Sequence, residues 1–186
     1  MKKSVLFFFL FIPLFTNAQQ SNADFFWENI SALCGKAFIG EVVEAPADDD
    51  FRNHELVMHV LSCDEEVINI PFFVGENRSR TWILTRAGDH IQLKHDHRKE
   101  DGTDDELTMY GGTSVNTGSA TLQTFPADQE TADLIPAAAS NIWWIEIVPG
   151  EYYTYNLRRI GTDRYFSIRF SFEDETEIPP PAWGWE

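Results

Sequence analysis

Cysteine is scarce in this chain: Cys34 and Cys63 are the only two. That number excludes a disulfide-dense scaffold and the paired C-x-x-C motifs of structural zinc sites. Positive charge is also in short supply, with 14 Lys and Arg against 30 Asp and Glu and a net charge of −16. A surface this acidic repels phosphate backbones and anionic lipid heads, which argues against nucleic-acid and membrane-surface partners. All 5 histidines lie before residue 98. There is no G-x-S-x-G elbow, no H-E-x-x-H and no glycine loop ending in lysine, so common hydrolase, metallopeptidase and nucleotide-binding signatures are missing. No block recurs at a fixed period, which excludes a solenoid or propeller.

Long apolar runs are confined to the start. "MKKSVLFFFLFIPLFTNAQQ" has Lys2 and Lys3, an apolar run from Val5 to Phe15, and small residues at Thr16 and Ala18. The run is too short for a hydrocarbon core about 30 Å thick, so residues 1–18 are expected to be a signal peptide cleaved after Ala18. Neither cysteine lies where a lipid anchor would be attached. The expected product is secreted or periplasmic, without stable membrane insertion. Its 43% hydrophobic and 14% aromatic residues are enough to build a core.

Helical periodicity is rare. In "NADFFWENISALCGK", Phe26, Ile30 and Leu33 share one stripe, Asp24 is a candidate cap and Gly35 a stop, which predicts a short plug helix. "ADQETADLIPAAAS" reads either as a second helix, with Asp128 as cap and Pro136 as break, or as a turn-rich loop. The remainder alternates. The clearest hairpin joins "YTYNLRRI" to "RYFSIRFSFE", where Phe166, Ile168, Phe170 and Phe172 alternate with Tyr165, Ser167, Arg169 and Ser171.

Further strand signals are "KAFIGEVVEA", "HELVMHVLSCD", "EVINIPFFVG", "RTWILTRAG", "HIQLKHDHR", "ELTMYGGTS", "SATLQTFPA" and "NIWWIEIVPG". The fold class predicted is all-β, an antiparallel meander of about eight to ten strands closed into a barrel over residues 19–175. Pairing the first two strands about "APADDDFRN" centres the turn between Asp48 and Asp49 and sets Cys34 opposite Cys63. In an oxidising compartment these are expected to form a disulfide, worth on the order of 3 kcal/mol for a loop of about 30 residues. The tail at 176–186, "EIPPPAWGWE" and the residue before it, cannot continue a central strand because its prolines lack donors. Its Trp183 and Trp185 can dock in a groove or meet a partner.

The richest polar stretch is "LKHDHRKEDGTDDELTMYGG". On a strand, His95 and His97 continue the apolar face of Ile91 and Leu93, while Lys94, Asp96 and Arg98 face the other way. If the chain turns at Gly102 and Thr103, one register sets His95 opposite Tyr110 and His97 opposite Thr108, and the neighbouring register sets them opposite Met109 and Leu107. The acidic tip lacks the spacing of an EF-hand loop and reads as solvated charge. Two imidazoles on one strand face can hold a transition metal such as Zn²⁺, Cu²⁺, Fe²⁺ or Mn²⁺. The segment resembles the cupin motif in part, with Gly88 before "HDH". Glu100 and Asp101 are displaced from the cupin acid and the downstream histidine is absent.

The order of parts resembles the calycin group, the lipocalins and their relatives: a signal peptide, a plug helix, a first strand in "LCGKAFIGEV" and a meander ending in a strong hairpin. Gly35 and Phe38 stand near the place of the lipocalin Gly-x-Trp, with different spacing and a different aromatic. The segment "HDHR...DG...YGG" also resembles an uncharacterised family of secreted bacterial proteins, a likeness that implies no activity. The calycin likeness implies a barrel that binds a small, apolar or amphipathic ligand without a cofactor or catalysis. His95, His97, Tyr110, Trp82 and Arg86 are the expected pocket groups. Two other readings stand beside it: a metal-dependent cupin-like enzyme with His95 and His97 as ligands, and an envelope or surface interaction module using the aromatic tail.

Overall fold

A computed structural model of the chain describes residues 20–47 and 49–185. The expected signal peptide at 1–18 lies outside these residues. Helix α1 (Asn22–Ser31) opens the fold. Its N-cap is Ser21, not Asp24: Asp24 is the third helical residue, and its carboxylate accepts from the Ser21 amide in a capping box. Phe26 and Ile30 are fully buried, as the stripe predicts.

Eleven strands follow among the described residues: β1 (Ala37–Glu44), β2 (Leu56–His59), β3 (Ser62–Cys63), β4 (Val67–Val74), β5 (Asn77–Ala87), β6 (His90–His97), β7 (Tyr110–Thr113), β8 (Leu122–Pro126), β9 (Asn141–Val148), β10 (Tyr152–Arg159) and β11 (Tyr165–Thr176). Helix α2 (Gln129–Leu134), capped by Asp128, and a 3₁₀ turn starting at Pro136 join β8 to β9. Each strand pairs antiparallel with its neighbour in the sheet order β7-β6-β5-β4-β2-β1-β11-β10-β9-β8, with β3 pairing β4 beside the main path. The result is a meander whose last strand returns to the first, leaving a nearly closed barrel of ten strands. Pro71 has no amide hydrogen, and it lies opposite the break between β2 and β3, where no ladder partner requires one.

The seam between β7 and β8 is drawn together by other means. The amide of Asp128 donates to the carbonyl of Gly111 at 3.0 Å, and the Thr131 hydroxyl and Gly111 bond both ways, at 2.6 and 2.8 Å. Lys94, on the outer face of β6, pairs with Asp128 and Glu130 at 2.7 and 2.8 Å. The approach requires glycine: a Cβ on Gly112 would lie 1.8 Å from the carbonyl oxygen of Pro126. The double glycine thus lets two backbones meet at the seam. The strand expected over "ELTMYGG" starts only at Tyr110, because Met109 takes a left-handed conformation (φ 58°) and turns the chain into β7.

Plug helix and barrel are stapled together at one end. Cys34 and Cys63 form the expected disulfide. The β1–β2 ladder pairs Ala37 with His59 and Phe38 with Met58, one residue off the register inferred from the cysteines, because the disulfide joins the turn after α1 to β3 and lies beyond that ladder. The indole of Trp27 donates to the carbonyl of Asp64, and Asn22 and Asn29 donate to the carbonyls of Gly118 and Ala120. α1 therefore closes this end, and only the opposite end can be open.

The tail folds back over the outside of the barrel. Ala182 and Trp185 pack against Ala37, Val57 and Phe73 on the outer sheet face. The Trp185 indole donates to Asp96 at 3.0 Å, and Arg78 donates to the carbonyl of Pro181.

Candidate functional site

The inward face of β6 carries Ile91, Leu93, His95 and His97 in order from the plugged end to the open end. The β6–β7 register sets His95 opposite Tyr110, the first of the two alternatives the sequence left open. Across β5, His95 faces Trp82. The barrel interior behind them is filled: Trp82 stacks on Phe72 and Tyr155 at centroid distances of 4.8 and 4.3 Å and packs against Tyr153 and Phe170. Burial of each large ring contributes about 1.5–3 kcal/mol.

At the open end a cavity of about 220 Å³ remains. Trp82, His95, His97, Tyr110, Trp143 and Tyr155 form its aromatic wall. Phe51, from the 3₁₀ turn Asp50–Asn53, reaches over it and meets Phe72 and Phe166 edge-on. Ile135 and Ala138, after α2, border the other side.

The hydrogen bonds fix the state of His95. Its Nδ1 lies 3.0 Å from the carbonyl oxygen of Tyr110, which only accepts, so Nδ1 carries the proton. Nε2 then accepts from the Tyr155 hydroxyl at 2.6 Å. Burial pushes this imidazole down to about 3, and it is neutral at any ordinary pH. His97 is held down to about 4 by burial and by the charge of Arg80, and its Nε2 lies 3.1 Å from the Tyr110 hydroxyl. Burial pushes Tyr110 up to about 12 and Tyr155 well above its ordinary value. The four polar rings therefore form an uncharged hydrogen-bonding surface inside an aromatic wall.

Positive charge collects at the rim. Arg80, Arg159 and Arg164 line the cavity against one acid, Asp49, among the described residues. Arg80 lies 5.4 Å above the Phe51 ring and donates to Asn77 and Ser79. Arg159 donates through Nε to the buried side chain of Asn141 at 2.9 Å.

Four of the five expected pocket residues, His95, His97, Tyr110 and Trp82, meet at this cavity. Arg86 does not. It faces inward at the other end of β5, where its guanidinium pairs with Asp24 and lies 4.8 Å over the Trp27 ring of α1. Trp143, Tyr155 and Arg80 were missed. Each lies on the inward parity of its strand, and Arg80 is two residues from Trp82, so alternation was the available signal. No third His, Cys, Asp or Glu joins His95 and His97 in a metal-ligating group among the described residues. Both ring nitrogens of His95 are already used by protein partners.

Comparison with known proteins finds no matching family model, curated protein or solved structure. The site must be read from its own chemistry.

Proposed function

We propose that the protein is an exported, non-catalytic small-molecule-binding barrel of calycin type, whose ligand enters the open end and stacks within the wall of Trp82, Trp143, His95, His97 and Tyr110. The observation that carries this reading is the aromatic cavity with neutral polar rings, at the end opposite a stapled plug helix. Such concave, mostly apolar sites with a few fixed polar groups are the usual form of small-molecule pockets. Export is supported by the Cys34–Cys63 disulfide, since such bonds persist in oxidising compartments. No helix of the described residues is long and apolar enough to cross a membrane.

Native mass spectrometry of protein recovered from its own host tests both parts. The reading expects a mature chain starting at Gln19 and a bound compound of one stoichiometry that is lost in Trp143→Ala. Retention of residues 1–18, or the absence of any bound compound together with no response to added aromatic compounds, counts against it.

A transition metal on His95 and His97 is the second reading, favoured by their shared inward face. It requires His95 to exchange its Tyr155 partner for the metal. Elemental analysis of protein purified without chelator expects a stoichiometric metal under this reading, lost in the His95→Ala/His97→Ala double variant.

A further inference from the structure

The rim of the cavity has a charge opposite to that of the molecule. The chain carries 30 acidic and 14 basic residues, yet three arginines and one acid line this opening among the described residues. None of the three arginines pairs with a carboxylate within 4.0 Å among the described residues. Outside the rim, Arg86 pairs with Asp24 and Arg98 with Asp96 and Asp104, while the other arginines form no such pair among the described residues, so what marks the rim is the convergence of three arginines on one cavity.

Two of the three rim arginines are held in place by the fold, while Arg164 is exposed. Asn77 and Ser79 hold Arg80 through Nη1, and Asn141 holds Arg159 through Nε, which leaves the remaining guanidinium donors of both for a guest. Burial lowers Arg80 from its ordinary value, so its charge is partly desolvated and gains from an anion. Arg80 and Arg164 both favour the anionic form of Tyr110, so their field reaches the cavity interior. Below the rim, the wall is flat and aromatic. The space is short: about 220 Å³, against roughly 300–1,000 Å³ for sites that take drug-sized molecules. Trp82, Tyr155, Tyr153 and Phe170 pack against one another in the barrel beneath it, so a long acyl chain would have to displace this packing.

We propose that the cavity recognises a compact aromatic anion, with a ring system seated above Trp82 against the wall of Trp143, His97 and Tyr110 and a carboxylate or similar group held at the rim by Arg80, Arg159 and Arg164. This deepens the binding-barrel reading and rests on it. The polar rings beneath the rim stay neutral, so discrimination by charge comes from the arginines and discrimination by shape from the aromatic wall. The acidic exterior slows approach of any anion, and the rim arginines draw it in over the last Debye length of about 8–10 Å.

The test is isothermal titration of the mature protein with 2-naphthoate, with the neutral 2-naphthalenemethanol and with palmitate. The expected result is an affinity for naphthoate at least about tenfold above that for the alcohol, the range of a charge-assisted hydrogen bond, with palmitate weaker than both. Arg80→Gln and the exposed-site variant Arg164→Gln should each cut the naphthoate preference about fivefold or more while leaving the alcohol unchanged. Arg169→Gln, on the outer face beside Tyr152, should have no effect. Equal affinity for naphthoate and the alcohol, unaffected by either rim variant, overturns the anion assignment and leaves the pocket standing. Tighter binding of palmitate overturns the compact shape. Binding of none of the three overturns the pocket reading itself.

Discussion

The hydroxyl of Tyr155 donates to Nε2 of His95 at 2.6 Å and so joins β10 to β6 across the barrel interior. The two residues are 60 positions apart, and the bond is fully buried. With Nδ1 donating to the Tyr110 carbonyl, His95 has no free polar atom and one defined tautomer. Tyr155→Phe strands Nε2 without a donor, and an unsatisfied buried acceptor costs about 1–3 kcal/mol. Urea titration should show that loss, and the double variant Tyr155→Phe/His95→Leu should recover part of it. An unchanged midpoint in Tyr155→Phe would mean that the bond contributes nothing.

Acid should destabilise the fold well above the carboxylate range. The folded-state values of His95 and His97 are about 3 and about 4, against an ordinary 6.5. Between those values and 6.5 the unfolded chain binds protons that the folded chain does not. The stabilisation is therefore complete above about pH 6.5 and is lost as pH falls toward 4, at about 1.4 kcal/mol per pH unit for each histidine. His59, also held down by burial, acts in the same direction. Carboxylates with lowered values, such as Asp24 and Asp128, respond below their ordinary 3.8 and do not shape this window. Urea midpoints at pH 7.5, 6 and 5 should fall steadily, and His97→Gln should flatten the slope. A constant midpoint from 7.5 to 5 would contradict the buried neutral histidines.

Replacing both Cys34 and Cys63 with serine should lower stability on the order of 3 kcal/mol, since the bridge spans a sequence separation of 29. The loss should concentrate at the plugged end. Amide exchange in α1 should accelerate more than in β9 and β10, and uniform acceleration would argue against a local staple.

Truncation after Glu177 removes Ala182 and Trp185 from the outer face and bares Ala37, Val57 and Phe73. It also takes the indole donor from the buried carboxylate of Asp96, which keeps Arg98 and Thr108. A cost of about 2 kcal/mol is expected, with naphthoate affinity unchanged because the tail lies outside the cavity. A truncated chain of full stability that loses a binding partner would favour the interaction-module reading of the tail.

Tyr153 presents a buried hydroxyl with no hydrogen-bond partner among the described residues. Tyr153→Phe removes an uncompensated polar group and should be neutral or stabilising by up to about 1 kcal/mol. Thermal unfolding is enough to measure it.

The barrel was legible in the sequence because period-2 alternation is a local property. The final hairpin shows it best: Phe166, Ile168 and Phe170 are buried, and Arg169 between them is exposed. The inward direction of His95 and His97 follows from the same rule, starting from Ile91 and Leu93. Their partners did not, since a pairing register depends on the turn that precedes it, and the turn here uses a left-handed Met109. Arg86 shows the limit most clearly. Alternation correctly gives Arg80, Trp82, Leu84 and Arg86 one face, but does not say which end of β5 is open. That depends on where α1 docks, a long-range contact made by Trp27 and the disulfide. Tyr155 and Trp143 were hidden for a related reason: they come from the second half of the meander and meet β6 only when the barrel closes.

The central claim is that the cavity around His95 and His97 is the ligand site. Its most direct test is a long-range ¹H–¹⁵N spectrum of the histidine rings, recorded with and without 2-naphthoate. In the free protein His95 should show the Nδ1–H tautomer at neutral pH. On addition of the probe, the signals of His97 and of the Trp143 indole should shift, while His59 and His90, at the plugged end, stay in place. Shifts confined to the tail residues Trp183 and Trp185, with His97 and Trp143 unmoved, would contradict it.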